Sequence, residues 1–478
     1  MLWVGTSLAV ATPMGSDEAR LLLARTGFAA AEMQVDQFAQ LSRTDALDRL
    51  LAETTTTSAS PPPAWTSSYD RPSRENLATI EQREAYRKEQ QRRAAELRAW
   101  WFGEMLTTPS PLTEKMTLFW HNHFVSAQQK VRIPQLMYAQ NQLLRRHALG
   151  NFRTMLRAVA RDPAMLIYLD TAGSRVGAPN ENFAREVMEL FTLGEGHYGE
   201  TDIKEAARAL TGWNVNRETG EVVYRPRLHD YGMKTIFGST GRFDMDSVLD
   251  LTLRKPEAAN FVVSKLWKEF ISPTPDAAEV ERFATVFRDR DYEIRPLLRV
   301  MLTSDAFYAA SNRGTLVKSP VDLVVGTLRE FRFQLNEPKP FVNVLRQLGQ
   351  DLFNPPNVKG WPGGDAWINS SSLLARKQLM ERLFRFDQNS QSDPLDIAAA
   401  LSAEAPMMQP VPRPIPRAMN GTLEFDSARW LARYAARDDG AARMTATLLP
   451  VAPVQARTPT TTLAGIRQLV LDPAYQLK

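Results

Sequence analysis

Two histidines stand one residue apart in TLFWHNHFVS, residues 117–126, in a chain that has only five. The residue type suggests a metal chelate, and the local backbone decides whether one can form. On a strand, alternate side chains share a face, so His121 and His123 could grip one ion. On a helix they point about 200° apart at ~100° per residue, and no single ion bridges them. The flanking residues read as helix. Ser110 and Pro111 suit an N-cap and a first helical position. Leu112, Met116, Phe119, Trp120 and His123 then recur at helical spacing as one apolar stripe. The chelate is therefore rejected. His123 is expected to face inward, as a satisfied core histidine or as a ligand to something distant in sequence. His121 is expected to be exposed or in a supporting position.

A second place for chemistry is ENFAREVMELF, which Asn180 could cap. Phe183, Val187, Leu190 and Phe191 form its expected buried face. Asn182, Glu186 and Glu189 line up beside that face as a polar stripe, with Glu186 closer to the core side. A carboxylate at a core margin is pushed above its usual range unless a cation meets it, which suits a general acid or base, or a metal ligand. The plainer alternative is a surface helix on which Arg185 pairs with Glu181 and Glu189.

The third place is RLHDYGMKTIFG, where His229, Asp230 and Lys234 cluster in a loop beside a short sheet. Loops held on a rigid scaffold often carry function. Asp230 could equally be a turn residue. His197, in EGHYGE, reads as a glycine-flanked loop residue.

The elements that must position these groups are mainly helical. The expected fold is a multi-helix orthogonal bundle. A β-hairpin turning near Gly220, with KTIFG as a third strand, is inserted around residues 213–238. Residues 1–16 read as a leader or a signal-peptide remnant, because Ala9-Val10-Ala11 fits a secretory cleavage pattern although a basic segment before it is missing. Residues 17–384 form the expected main helical domain, with 54–74 as a low-complexity linker or loop. Residues 385–478 form a helical extension interrupted by a proline-rich stretch.

The 478 residues carry a net charge of +4 with the charges interspersed, so nucleic acid is not an expected partner. There is no cysteine. Disulfides, thiol catalysis and cysteine-held metals are thereby excluded. After the leader, no apolar run is long enough to span a bilayer.

Eight ordered stretches carry a resemblance. EARLLLARTGF, MTLFWHNHF, HALGNFRTMLRAVARDPAMLIYLD, NENFAREVMELFTLG, EAARALTGW, RLHDYGMKTIFG, VKSPVDLVV and GWPGGDAWINSSSLLAR together resemble the bacterial family called domain of unknown function 1800. The likeness runs from about residue 18 to residue 376. It implies a mostly helical, often exported protein whose gene commonly neighbours one for a phosphatase- or sulfatase-like protein. It implies no reaction. The family pattern includes positions matching His123, Asn182, Arg185, Glu186, His229, Asp230 and Lys234. Where many members carry a histidine, this chain has Phe191.

Three functions follow as expectations. The first is an exported metal-dependent hydrolase or oxygenase acting on an envelope or extracellular substrate. His123, His229 and Glu186 would hold zinc or iron, Glu189 or Asp230 would assist, and Arg185 and Lys234 would meet an anionic group. The second is a metal-free carbohydrate-active enzyme in which Glu186 pairs with Glu189 or Asp230, with Asn182, Trp213 and Trp361 contacting the sugar. The third is a non-catalytic envelope protein that partners the phosphatase- or sulfatase-like protein, with the loop NPPNVKGWPGGDAW as its docking surface. A periplasmic or secreted location is expected, with the cytoplasm as the alternative.

Overall fold

The structure is a computed structural model, and it describes residues 12–69, 72, 77–216, 218–384, 423–455, 458 and 460–478. Most of the leader and the proline-rich stretch at 404–421 lie outside the described residues.

Helices dominate, as the periodicity predicts. In chain order they are α1 (Gly15–Thr26), α2 (Glu32–Phe38), α3 (Arg43–Ala52), α4 (Ile80–Thr107), α5 (Pro111–His123), α6 (Gln128–Val131) and α7 (Pro134–His147). Next come α8 (Phe152–Ala160), α9 (Pro163–Tyr168), α10 (Asn182–Glu186), α11 (Glu200–Ala209), α12 (Met245–Arg254) and α13 (Pro256–Phe270). α14 (Ala277–Asp289), α15 (Ile294–Leu302), α16 (Asp305–Tyr308), α17 (Pro320–Glu330), α18 (Lys339–Gln347) and α19 (Ser370–Leu383) follow. Three further helices, Ser427–Ala435, Gly440–Leu448 and Leu463–Val470, belong to the C-terminal part. One hydrophobic cluster runs from Met14 to Tyr475 and includes Trp430, Met444 and Ile466, so the extension shares the core of the preceding helices. Among the described residues no helix is long and apolar enough to cross a membrane.

Residues 54–69 pack more firmly than their composition suggests. Glu104, buried on α4, accepts the backbone N–H groups of Ala59 and Ser60 at 2.8 and 2.7 Å. Trp100 Nε1 donates back to Ser60 O at 3.2 Å. The low-complexity stretch is a strap held by backbone polarity, which composition does not reveal.

The hairpin near Gly220 is present as β1 (Trp213–Val215) paired antiparallel with β2 (Val222–Tyr224). The expected third strand is a correction. β3 (Lys234–Ile236) does not join that sheet but forms its own hairpin with β4 (Ser239–Gly241). The turn between them has φ +49° at Phe237 and +74° at Gly238, the positive-φ pair of a two-residue hairpin turn. A 3-10 turn at Pro226–Leu228 separates the two hairpins.

Candidate active site around His123 and Lys265

The C-terminal half of α5 is aimed by a buried ion pair one helical face away. Glu114 receives Arg145 of α7 through two hydrogen bonds, at 2.5 and 2.8 Å, and also accepts Trp101 Nε1 of α4 at 2.9 Å. A charged pair this deep persists only because its geometry is bidentate and its remaining donors are met. Asn141 takes one of them, accepting Arg145 Nη1 at 2.6 Å. Three helices are thus pinned together below residues 121–123.

Those three residues then go three separate ways, as helical geometry requires. Asn122 Oδ1 accepts the N–H of Trp361 at 2.6 Å, which fastens the 360–367 loop to the end of α5. Gly360 makes that approach possible. Its φ is +88°, and a Cβ there would stand 2.3 Å from Asn122 Oδ1. His121 is not exposed, and that expectation is corrected. It is only 1% exposed, because Trp361 and Phe353, neither in sequence reach, close over it together with Trp101 at ring separations of 5.3 to 5.5 Å. Burial pushes its imidazole down to about 3, so it is neutral.

His123 faces inward as expected, and its partners are specific. Its Nε2 lies 3.0 Å from the carbonyl of Phe191, and its Nδ1 lies 3.2 Å from Lys265 Nζ on α13. A carbonyl can only accept, so Nε2 carries the proton and Nδ1 accepts from the lysine. Burial, followed by the nearby Lys265 cation, holds His123 well below its ordinary range. Lys265 Nζ also donates to Leu190 O at 3.0 Å. The two side chains therefore cap consecutive carbonyls of one segment.

That segment carries the predicted carboxylates. α10 passes into a π-helical turn, Val187–Thr192, and widening of the helix leaves late carbonyls for outside donors. Asn180 is not the expected cap: the helix begins at Asn182 behind Glu181 with no side-chain cap, and Asn180 Oδ1 only accepts Asn182 N at 2.9 Å in the turn before it. Glu186 is half-buried, and burial followed by the neighbouring Glu189 pushes its carboxyl up to about 7. Glu189 accepts Tyr198 Oη at 2.8 Å. Arg185 spends its charge on Glu200 at 2.6 Å and on Glu181. Asn182 is exposed.

Lys265 opens onto a cavity of about 550 Å3 between α5, α13 and the 360–367 loop. Trp361 and Trp367 stand in the loop wall, and Lys115, Lys268, Lys359 and Lys478 also line the cavity. Two of these lysines are already matched. Asp322 pairs with Lys115 and, at 2.8 Å, with Lys478, while Glu269 lies 3.1 and 3.4 Å from the same two ammonium groups. Against burial, these carboxylates hold Lys115 above its ordinary range, and the two lysines hold Asp322 far below its own. Among the described residues Lys268 and Lys359 remain to attract an anion, Lys359 standing 3.5 Å from the exposed Glu195. Burial and then Lys268 push the Lys265 amine down to about 8.

His229, Asp230 and Lys234 lie elsewhere and serve each other and their loop. His229 Nδ1 donates to Thr211 O at 3.0 Å. Arg208 grips Asp230 at 2.8 and 3.2 Å and, as the main cause, lowers its carboxyl. Lys234 is buried and donates to Gly232 O at 3.0 Å and to Asp230 O. Trp213 packs on Tyr224, with the Arg161 guanidinium over its ring. His123, His229 and Glu186 are not brought together as ligands: among the described residues no group of three or more His, Asp or Glu side chains is placed to hold a metal ion. A metal at His123 would also have to displace either Lys265 or the Phe191 carbonyl.

Sequence reasoning passed over Lys265, Asn122 and the Lys115–Asp322–Lys478–Glu269 network. The available signal was the lysine at the fourth place after Phe261 in the otherwise apolar run AANFVVSKLW, a charge set into a helix that must be largely buried.

The fold and cavity define a mainly helical scaffold protein with small hairpins and a lysine-lined cleft under an aromatic loop. The chain belongs to the family described as "Protein of unknown function (DUF1800)", which matches residues 21–477. The match extends the resemblance through the C-terminal helices, in keeping with their place in the common core. No curated protein and no solved structure matches the chain.

Proposed function

We propose that this protein is an enzyme acting on a small anionic substrate in the cavity beside Lys265, with the Lys265 amine as general base or nucleophile. One observation carries the reading. Lys265 Nζ donates to two fixed acceptors, His123 Nδ1 and Leu190 O, while lining an open cavity. As a neutral amine it then has both N–H bonds engaged and its lone pair left over. Desolvation next to a second cation is a known way of preparing a lysine for such work at neutral pH. Lys268 supplies that second cation. Lys268 and Lys359 would draw the anionic group in, and Trp361 and Trp367 would exclude water around it.

The test is binding followed by protection. Inorganic phosphate and oxalate, titrated into the full chain, should raise its melting temperature and slow acetylation of Lys265. The K265M variant should lose most of the effect. Unchanged melting and unchanged acetylation with both probes would overturn the anion-binding reading.

A second reading rests on Glu186 and Glu189. One carboxyl raised to about 7 beside another held by Tyr198 is the arrangement of an acid/base pair, and it supports a metal-free carbohydrate-active enzyme. If that is the chemistry, E186Q abolishes turnover of a glycoside while K265M leaves it. Export and an envelope partner rest on the leader and the family resemblance alone.

A further inference from the structure

A second cavity, of about 520 Å3, lies between α1, α17, the Gly440–Leu448 helix and the chain that follows it. Its lining differs from that of the Lys265 cavity except at Asp322 and Lys478, which line both. Leu21, Phe28, Leu449 and Val451 give it an apolar wall. Most of its charged lining is already paired, Arg20 with Glu32 at 3.3 Å and Arg313 with Asp17 at 4.0 Å, and two groups are left over. Glu330 is only 7% exposed, and its Oε1 has no hydrogen-bond partner. Lys318 reaches over the Tyr475 ring at 3.9 Å, and among the described residues no hydrogen bond or carboxylate meets its ammonium.

A buried polar atom left unpaired is costly, so each such atom in a folded protein calls for an explanation. Here two unmatched groups line one apolar-walled cavity of the size that takes a small ligand. The local charge favours a negative head. Asp322 is consumed by Lys115 and Lys478. Glu330 is faced from outside the cavity by Arg433, whose two Nη atoms also lack partners. With Arg20 and Arg313 matched to Glu32 and Asp17, Lys318 and Glu330 are the charged lining groups left over, and Arg433 behind Glu330 tips the local balance positive.

We infer that this cavity binds an amphiphile with a single anionic head, a carboxylate on an alkyl chain, whose head meets Lys318 and Glu330 and whose chain lies along Leu21, Phe28 and Val451. Burial raises the Glu330 carboxyl to about 7, so its protonated form can donate to the incoming carboxylate. A cationic head would face Lys318 and Arg433 while Asp17 and Asp322 are already paired with Arg313 and Lys478, and is disfavoured.

The test uses the full chain with dodecanoate, followed by native mass spectrometry and calorimetry below the micellar range. The expected result is one dodecanoate per chain, at least tenfold weaker binding in K318M, and no competition from dodecylamine. A446F, which sets a ring on the cavity lining, should weaken binding at least tenfold while Lys318 remains in place, and it serves if K318M fails to fold. Absence of binding to the wild type would overturn the assignment. So would equal binding by folded K318M and A446F, or equal binding of dodecylamine.

Discussion

His123 Nδ1 lies 3.2 Å from Lys265 Nζ, across 142 residues of sequence, and both side chains hold carbonyls of the same π-helical turn. The contact joins the end of α5, the middle of α13 and the segment bearing Glu186 and Glu189. It also fixes the histidine tautomer, because one ring nitrogen must donate to Phe191 O. H123Q would keep a donor for that carbonyl but not the acceptor geometry for the amine. Its effect should therefore appear in the reactivity of Lys265 more than in stability, as read by pH-resolved labelling of the amine.

The 360–367 loop depends on Asn122 and on the absence of a side chain at Gly360. N122A should cost about 1–3 kcal/mol, because it leaves the Trp361 amide unmet. Amide hydrogen exchange should then rise at residues 360–367 while the exchange of α4 stays slow. G360A should be at least as damaging, since positive φ and the close Asn122 oxygen act together.

The Glu114–Arg145 pair should be the most sensitive single contact beneath the site. E114Q leaves a buried guanidinium without its countercharge, at a cost of about 3–5 kcal/mol. Denaturant unfolding would show it as a lower midpoint with an unchanged slope. A midpoint within experimental error of the wild type would mean that α5 is positioned by packing alone.

Acid should find His121. Its folded-state value, about 3, lies below the ordinary 6.5, so it contributes stability that is complete above pH 6.5 and is lost as the pH falls towards 3. The loss is up to about 1.4 kcal/mol per pH unit in that window. Asp162 and Glu330, both pushed up to about 7 by burial, act in the opposite sense over part of the same range. A wild-type curve alone therefore mixes the terms. H121F removes one of them, and its stability should fall less steeply than that of the wild type between pH 6 and pH 4.

Much of this was legible in local pattern. The stripe ending on His123, Pro111 at the start of α5, the β1–β2 turn and the position of Glu186 at a core margin all follow from spacing, because each depends on residues within one or two turns. His121 was misplaced because its cover comes from Trp101, Phe353 and Trp361, which no helical wheel contains. The stripe of Asn182, Glu186 and Glu189 assumed a regular helix, whereas the π turn widens it and turns its carbonyls towards Lys265. Lys265 was passed over, although it sits in an otherwise apolar run of α13. Its burial exists only once α5 and the π turn are packed against it.

The central claim rests on the state of one amine. Competitive acetylation across pH, read by mass spectrometry peptide by peptide, measures each lysine in the intact protein. Lys265 should titrate near 8, and K268Q should move it upward, because the neighbouring ammonium that holds it down is gone. Titration of Lys265 with the exposed lysines near the ordinary 10.5, unmoved by K268Q, would contradict the account.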